Sequence, residues 1–242
     1  MIRSLWVGFN LLVSTVLLGT MVIVSALLGV KGRVYDFASH AWARWMLWAS
    51  GTPVHVEGLE NVHLDEPQVF ASNHVSWYDV FALAARIPKR YRFVAKKELE
   101  RIPIFGTAWK AAGHVSVDRG DRASAIRSLD QAGRLIREDN SSVVIFPEGT
   151  RGPGGEMLPF KKGAFMLALH NGVDIVPVGI LGTRRILPKG AFRVRSGPIV
   201  VRFGAPIHTS DYDESTRDEL MAEVRSRIDE LRSRPDARVG RS

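Results

Sequence analysis

The stretch Val69-Phe70-Ala71-Ser72-Asn73-His74-Val75-Ser76-Trp77-Tyr78-Asp79-Val80-Phe81-Ala82-Leu83-Ala84-Ala85 decides how this chain folds. Its opening run is short, apolar and β-prone, so Gln68 to Ser72 reads as a buried strand. The run after Asp79 is rich in alanine and leucine and reads as a helix. A strand that feeds directly into a helix is the building unit of α/β folds. The turn between them carries His74 and Asp79. An imidazole on such a turn projects over a sheet end and can take a proton from an alcohol. A carboxylate on its far nitrogen fixes the tautomer and stabilises the imidazolium. Ser76 and Asp79 also have the spacing of a capping box, and on these residues alone Asp79 reads first as a helix cap.

The same alternation continues on both sides. Further β candidates are Val54 to Val56, Arg92 to Ala95, His114 to Val117, Ser142 to Phe146, Ile175 to Ile180 and Ile199 to Phe203. Ile126, Leu129, Leu135 and Ile136 fall at helical spacing behind Asp121, an N-cap residue type. Leu220, Val224, Ile228 and Leu231 mark a terminal amphipathic helix. The expected fold is therefore α/β, with a mostly parallel central sheet flanked by helices over residues 51–232. Residues 233–242 are polar, basic and broken by Pro235, and read as a disordered polar tail.

Toward the N-terminus the pattern changes. Leu5 to Val30 holds no charged side chain. As a helix this run would extend about 39 Å at ~1.5 Å per residue, enough to cross a ~30 Å hydrocarbon layer. Trp42, Trp45 and Trp48 follow at three-residue spacing within Tyr35 to Trp48, as expected of a helix at headgroup level. Val24-Ser25-Ala26 fits a signal-peptide cleavage pattern, but the apolar stretch exceeds the ~7–15 residues of a signal core. Residues 1–50 thus read as a retained membrane anchor, made of an apolar helix and a Trp-rich interfacial helix. A full span and a hairpin dipping into one leaflet fit equally well. The Lys/Arg excess after residue 30 puts the body of the protein on the cytoplasmic face of the cell (inner) membrane.

Composition narrows the chemistry. The 242 residues include no cysteine, which excludes disulfides, zinc-thiolate sites and a thiol nucleophile. A net charge of +8 points to an anionic partner. There is no G-x-S-x-G elbow for a serine acyl-enzyme and no phosphate loop for nucleotide hydrolysis. The seven histidines show no metal-ligand spacing. A base without a protein nucleophile fits a reaction whose nucleophile is a substrate hydroxyl.

A second cluster, Phe146-Pro147-Glu148-Gly149-Thr150-Arg151, ends an apolar strand at the sheet edge where α/β ligand sites occur. Arg151 can hold a phosphate bidentately, and glycine lets the backbone approach a ligand. Taken alone, the string also reads as a surface turn with a solvated Glu-Arg pair. Lys96, Lys97, Arg119 and Lys161 each sit at or just past the end of an expected element. Singly they are solvated charges; together they could converge on a phosphate.

The ordered set of Asn73 to Asp79 (N-H-x-x-x-x-D), Val117-Asp118-Arg119, Phe146 to Arg151 (F-P-E-G-T-R) and Ile175 to Val178 resembles the four blocks of the glycerolipid acyltransferases. Lys96 to Leu99, Ile102-Pro103, Phe105-Gly106 and Leu158 to Lys161 are similar to the bacterial 1-acyl-sn-glycerol-3-phosphate acyltransferase subgroup. The resemblance covers roughly residues 50–230. It implies that His74 deprotonates the sn-2 hydroxyl of a lysophosphatidate and that Asp79 orients it. The oxygen then attacks the thioester of acyl-CoA or acyl-carrier protein, forming phosphatidate.

Arg119, Glu148, Gly149, Thr150 and Arg151 fall in the blocks tied to glycerol-phosphate binding. Lys96, Lys97 and Lys161 are added here as candidates for phosphate or for the acyl donor. No metal or redox cofactor is implied, and the bilayer is a partner. Under the same resemblance the acceptor could instead be glycerol-3-phosphate, another lysophospholipid or a lyso-ornithine lipid. A non-catalytic protein that binds anionic lipid is the reading of a different class. Dispersed cations and the lack of a recognition motif argue against nucleic acid.

Overall fold

The apolar runs pair edge to edge into one sheet. The computed structural model describes residues 1–239 except Lys31, Arg119, Gly154 and Gly155, and only the backbone of Arg122 and Ala123. The strands among the described residues are β1 (Val54–Glu57), β2 (Val69–Ser72), β3 (Tyr91–Lys96), β4 (Val115–Val117), β5 (Ser142–Ile145), β6 (Ile175–Leu181) and β7 (Ile199–Phe203). Their spatial order is β1-β7-β6-β2-β5-β3-β4. Every pairing is parallel except β6 with β7, so the sheet is mixed but mostly parallel, as the sequence predicts.

Side chains alternate across the pleat. Phe70, Val144 and Val176 enter one core, with Phe81, Leu83 and Met46. Val69, Ala71, Val143 and Ile175 enter the other, with Phe165, Leu220 and Val224. Both faces are covered, which is why the central strands read as continuous apolar runs rather than alternating ones.

The first core is roofed by α1 (Ile2–Leu27), α2 (Arg33–Ser50) and α3 (Trp77–Arg86). The second lies under α5 (Arg122–Asp139), α6 (Gly163–Asn171) and α8 (Arg217–Ser233). Two shorter helices, α4 (Phe105–Ala111) and α7 (Thr183–Ile186), complete the chain.

The N-terminal hairpin shares the body's core. Val7, Ala43, Met46 and Leu47 belong to the same cluster as Phe70 and Phe81. Trp42 and Trp45 do not face outward as the three-residue spacing suggests. Their indole N–H groups donate across the hairpin to Thr15 Oγ1 at 3.1 Å and Asn10 Oδ1 at 2.9 Å. A half-buried indole still has to place its donor, and the two polar side chains of α1 receive them. Only Trp48 remains exposed, in edge contact with Trp6. The opposite side of α1 exposes Ile2, Leu5, Phe9, Leu12 and Val16, an apolar stripe at helical spacing.

The segment after α8 is also ordered where the sequence suggests a free tail. Arg202 on β7 is buried and reaches Asp236 at 3.1 Å and Glu57 at 2.8 Å. Its guanidinium also donates to the carbonyls of Leu231 and Arg234. Val239 packs inward beside Gly182. A buried guanidinium needs acceptors for its fork of donors, and a polar tail supplies them.

Candidate active site

Three loops converge at the C-terminal end of β2, which lies between β6 and β5. Open α/β sheets place ligand sites at this edge. Asn73, one residue past β2, pins the first loop to β6. Its side chain donates to Ile180 O at 3.0 Å and accepts from Ile180 N–H at 2.8 Å, imitating a ladder pair. Glu148, beyond β5, pins it from the other side. One carboxylate oxygen accepts from His74 N–H and the other from Leu158 N–H, each at 2.8 Å. Gly152 N–H closes the frame by donating to His74 O at 2.8 Å. Burial, with the Asp79 charge nearby, holds the Glu148 carboxyl above its ordinary range, offset only in part by the two backbone donors and the nearby imidazole.

Asp79 is fully buried in the first turn of α3. Its Oδ2 accepts from the N–H groups of Val75 at 2.7 Å and Ser76 at 2.8 Å, and meets His74 Nδ1 at 3.0 Å. Ser76 Oγ accepts from Tyr78 N–H at 3.2 Å and donates to Leu187 O at 2.7 Å. The capping box and the orienting carboxylate are therefore one residue serving two ends. The cap aims Asp79, and Asp79 holds a proton on His74 Nδ1, leaving Nε2 as the free lone pair. Phe146 stacks on the imidazole with centroids 3.9 Å apart and planes 16° apart, which fixes the ring plane.

His74 opens onto a cavity of about 420 Å³ between the sheet edge and the helical roof. Leu18 and Val22 of α1, Trp42 of α2 and Phe105 and Trp109 of α4 make its long wall apolar. Of the residues the motifs single out, Lys96, Gly149, Thr150 and Arg151 line it with His74. Arg151 stands over the Trp77 ring, 5.2 Å from its centroid. Gly149 has φ +71°, a conformation that favours glycine, and the flexible end of Lys161 packs where its Cβ would be, with Cε 2.9 Å away.

Other predicted residues sit apart from the cavity wall. Glu148 and Asp79 lie behind it as supports. Lys161 packs its stem under Gly149, and Lys97 pairs with Asp118 at 3.6 Å. Arg119 lies outside the described residues. Lys189 lines the cavity and donates to Arg151 O at 2.8 Å, a position no motif marks. The available signal is charge: from Gly182 to Pro198 the sequence has five cations and no Asp or Glu. His114 is a second residue the motifs do not mark. It lies in the cavity wall, and its Nδ1 accepts from Phe93 N–H at 3.1 Å.

Residues 53–181 match the Acyltransferase family, a span that contains the whole constellation from Asn73 to Lys161. The chain belongs to this acyltransferase family. A Haemophilus influenzae protein named 1-acyl-sn-glycerol-3-phosphate acyltransferase is 32% identical over 216 residues, covering 84% of this chain and 88% of that one. A Cocos nucifera protein of the same name is 37% identical over 184 residues. The chain spans 58% of the length of the Cocos relative and 66% of a Limnanthes alba one. The crystal structure of the 1-acyl-sn-glycerophosphate acyltransferase from Thermotoga maritima superposes with a TM-score of 0.80 at 26% identity, over 97% of both chains. The acyltransferase fold thus extends through α1 and α2, beyond the matched 53–181 core.

Proposed function

We propose that the protein acylates the sn-2 hydroxyl of 1-acyl-sn-glycerol-3-phosphate from an acyl thioester, CoA or carrier-protein linked, to give phosphatidate. The observation that carries this reading is the His74–Asp79 pair, opening onto an apolar cavity rimmed by cations. His74 Nε2 takes the hydroxyl proton as the oxygen attacks the thioester carbonyl. The tetrahedral intermediate expels the thiolate as the carbon–sulfur bond breaks, and the imidazolium returns its proton to sulfur. Asp79 keeps the tautomer and offsets the imidazolium charge. Exchange of a thioester for an oxygen ester calls for no metal or redox group.

Arg151, Lys96 and Lys189 suit the acceptor's phosphate, with Thr150 and Gly149 beside it. The apolar wall formed by Leu18, Trp42, Phe105 and Trp109 suits the acyl chain. An enzyme with this role acts at the bilayer, and we place α1 lying along one leaflet rather than crossing it. Support comes from its contacts at both ends with one body. Val194 N–H donates to Ser4 Oγ at 3.0 Å, while Val22 clusters with Ala112 beyond α4. The Lys/Arg excess after the hairpin favours the cytoplasmic face.

The test is thiol release from acyl-CoA, with and without lysophosphatidate, by detergent-solubilised wild type and His74→Ala. Acceptor-dependent release that falls ~10²–10⁴-fold in the variant is expected. Turnover with another acceptor alone would overturn the substrate. No turnover from either donor in folded protein would favour the lipid-binding reading.

A further inference from the structure

Phe192 is the most exposed aromatic residue in the protein, at 94%. A phenyl ring standing in water gains free energy when an apolar phase covers it. It sits on the segment Leu187–Pro198 that joins α7 to β7, with Lys189, Arg193 and Arg195 around it and Arg184 and Arg185 just before. All five cations are exposed, and among the described residues none forms an ion pair with a carboxylate.

The segment is also placed. Val194 N–H donates to Ser4 Oγ, and Ser196 abuts Gly51 just past α2. It therefore adjoins the start of α1 and the end of α2, where the exposed stripe begins at Ile2 and Leu5 and Trp6 meets Trp48. At its other end Lys189 reaches the cavity that holds His74.

We propose that this segment is a second membrane-binding element, in which Phe192 enters an anionic leaflet and Arg193 and Arg195 engage its phosphates beside the cavity mouth. The proposal rests on the placement of α1 along a leaflet given above. An aromatic side chain among cations, on the same surface as an apolar helix face, matches the chemistry of an anionic lipid surface. An acidic carrier protein would also be drawn to the charge, but it gives no reason for a bare phenyl continuous with the α1 stripe. The consequence is orientation: α1 fixes depth, and the loop turns the cavity mouth toward the lipid acceptor.

The absence of cysteine makes the test direct. Single-cysteine forms of the full chain, Phe192→Cys, Leu12→Cys and Glu214→Cys, carry a polarity-sensitive fluorophore into phosphatidylcholine vesicles with or without phosphatidylglycerol. Leu12 lies on the exposed stripe, and Glu214 is exposed against His170 of α6, over the other sheet face. The expected result is a blue shift and lipid-phase quenching at 192 and at 12, and neither at 214. Arg193→Gln with Arg195→Gln should weaken partition onto anionic vesicles about 30-fold, taking ~1 kcal/mol per charge, and change neutral vesicles little.

A label at 192 that stays aqueous while the label at 12 is in lipid would overturn the proposal and leave the placement of α1 standing. A label at 12 that stays aqueous would overturn that placement, and the proposal with it. Unchanged partition of the double variant with a raised KM for an acyl-carrier protein donor would assign the surface to that donor and overturn the proposal.

Discussion

Gly19 of α1 leaves the space that Ile104 fills: a Cβ on Gly19 would lie 2.8 Å from Ile104 Cγ2. Ile104 cannot step back. It has φ +63° and ψ −56°, at the centre of a γ-turn closed by Phe105 N–H on Pro103 O at 2.6 Å. That conformation is strained for a β-branched residue and persists only where its surroundings demand it.

Gly19→Ala should therefore destabilise the protein by about 1–3 kcal/mol through overpacking. Ile104→Gly relieves the crowding, so the double variant should lose less than the sum of the two single losses. Thermal unfolding in one detergent measures all three. Strict additivity would show that this contact does not hold α1 to the body.

Asp79→Ala removes both duties of that carboxylate, and each has its own readout. Loss of the cap should cost stability by roughly 0.5–2 kcal/mol. Loss of the acceptor for His74 Nδ1 should lower kcat by about 10²–10⁴, with KM nearly unchanged. A loss carried by KM instead would place Asp79 among substrate contacts.

Lys189→Ala tests the cation that no motif marks. A charge-assisted contact to the acceptor's phosphate is worth about 1.5–3 kcal/mol, so KM for lysophosphatidate should rise roughly 10- to 100-fold. KM for the acyl thioester should hold steady. The opposite pattern would assign Lys189 to the donor.

His114 sets an acid limit on stability. Burial, with the Arg92 guanidinium adding to it, lowers its imidazole from the ordinary value of 6.5 to about 3. Between those values the unfolded chain binds a proton that the folded chain does not. Stability should therefore fall as pH drops from about 6.5 toward about 3, by ~1.4 kcal/mol per unit at most. His114→Asn keeps an acceptor for Phe93 N–H and removes the titration. Its denaturation midpoints in detergent should vary less with pH over that window.

The central strands β2, β5, β6 and β7 were legible because burial on both faces writes them as apolar runs. His74 and Asp79 were legible because a strand-to-helix turn fixes where residues five apart can meet. Trp42 and Trp45 were not. Periodicity names the face a side chain occupies, but lipid and a neighbouring helix make the same demand of it. The clue lay in α1, where Asn10 and Thr15 interrupt an apolar run at the positions that receive the indoles. Lys189 escaped because proximity to the cavity depends on how α7 and the following loop fold back, which no local pattern encodes. The tail escaped for a similar reason: its polar residues answer a buried arginine on a strand thirty-odd positions earlier.

The register of β1 on β7 has a consequence for biosynthesis. Arg202 and Glu57, opposed in that pairing, lie 145 residues apart, and among the described residues β7 is the only strand that pairs with β1. A chain emerging from the ribosome thus exposes an unpaired sheet edge through most of translation, a slow closure of high contact order. Meanwhile the apolar stripe of α1 is already free to find a bilayer. Under the function proposed above, seating at a membrane would precede closure of the sheet, and the fold would be completed on the surface that holds the lipid acceptor.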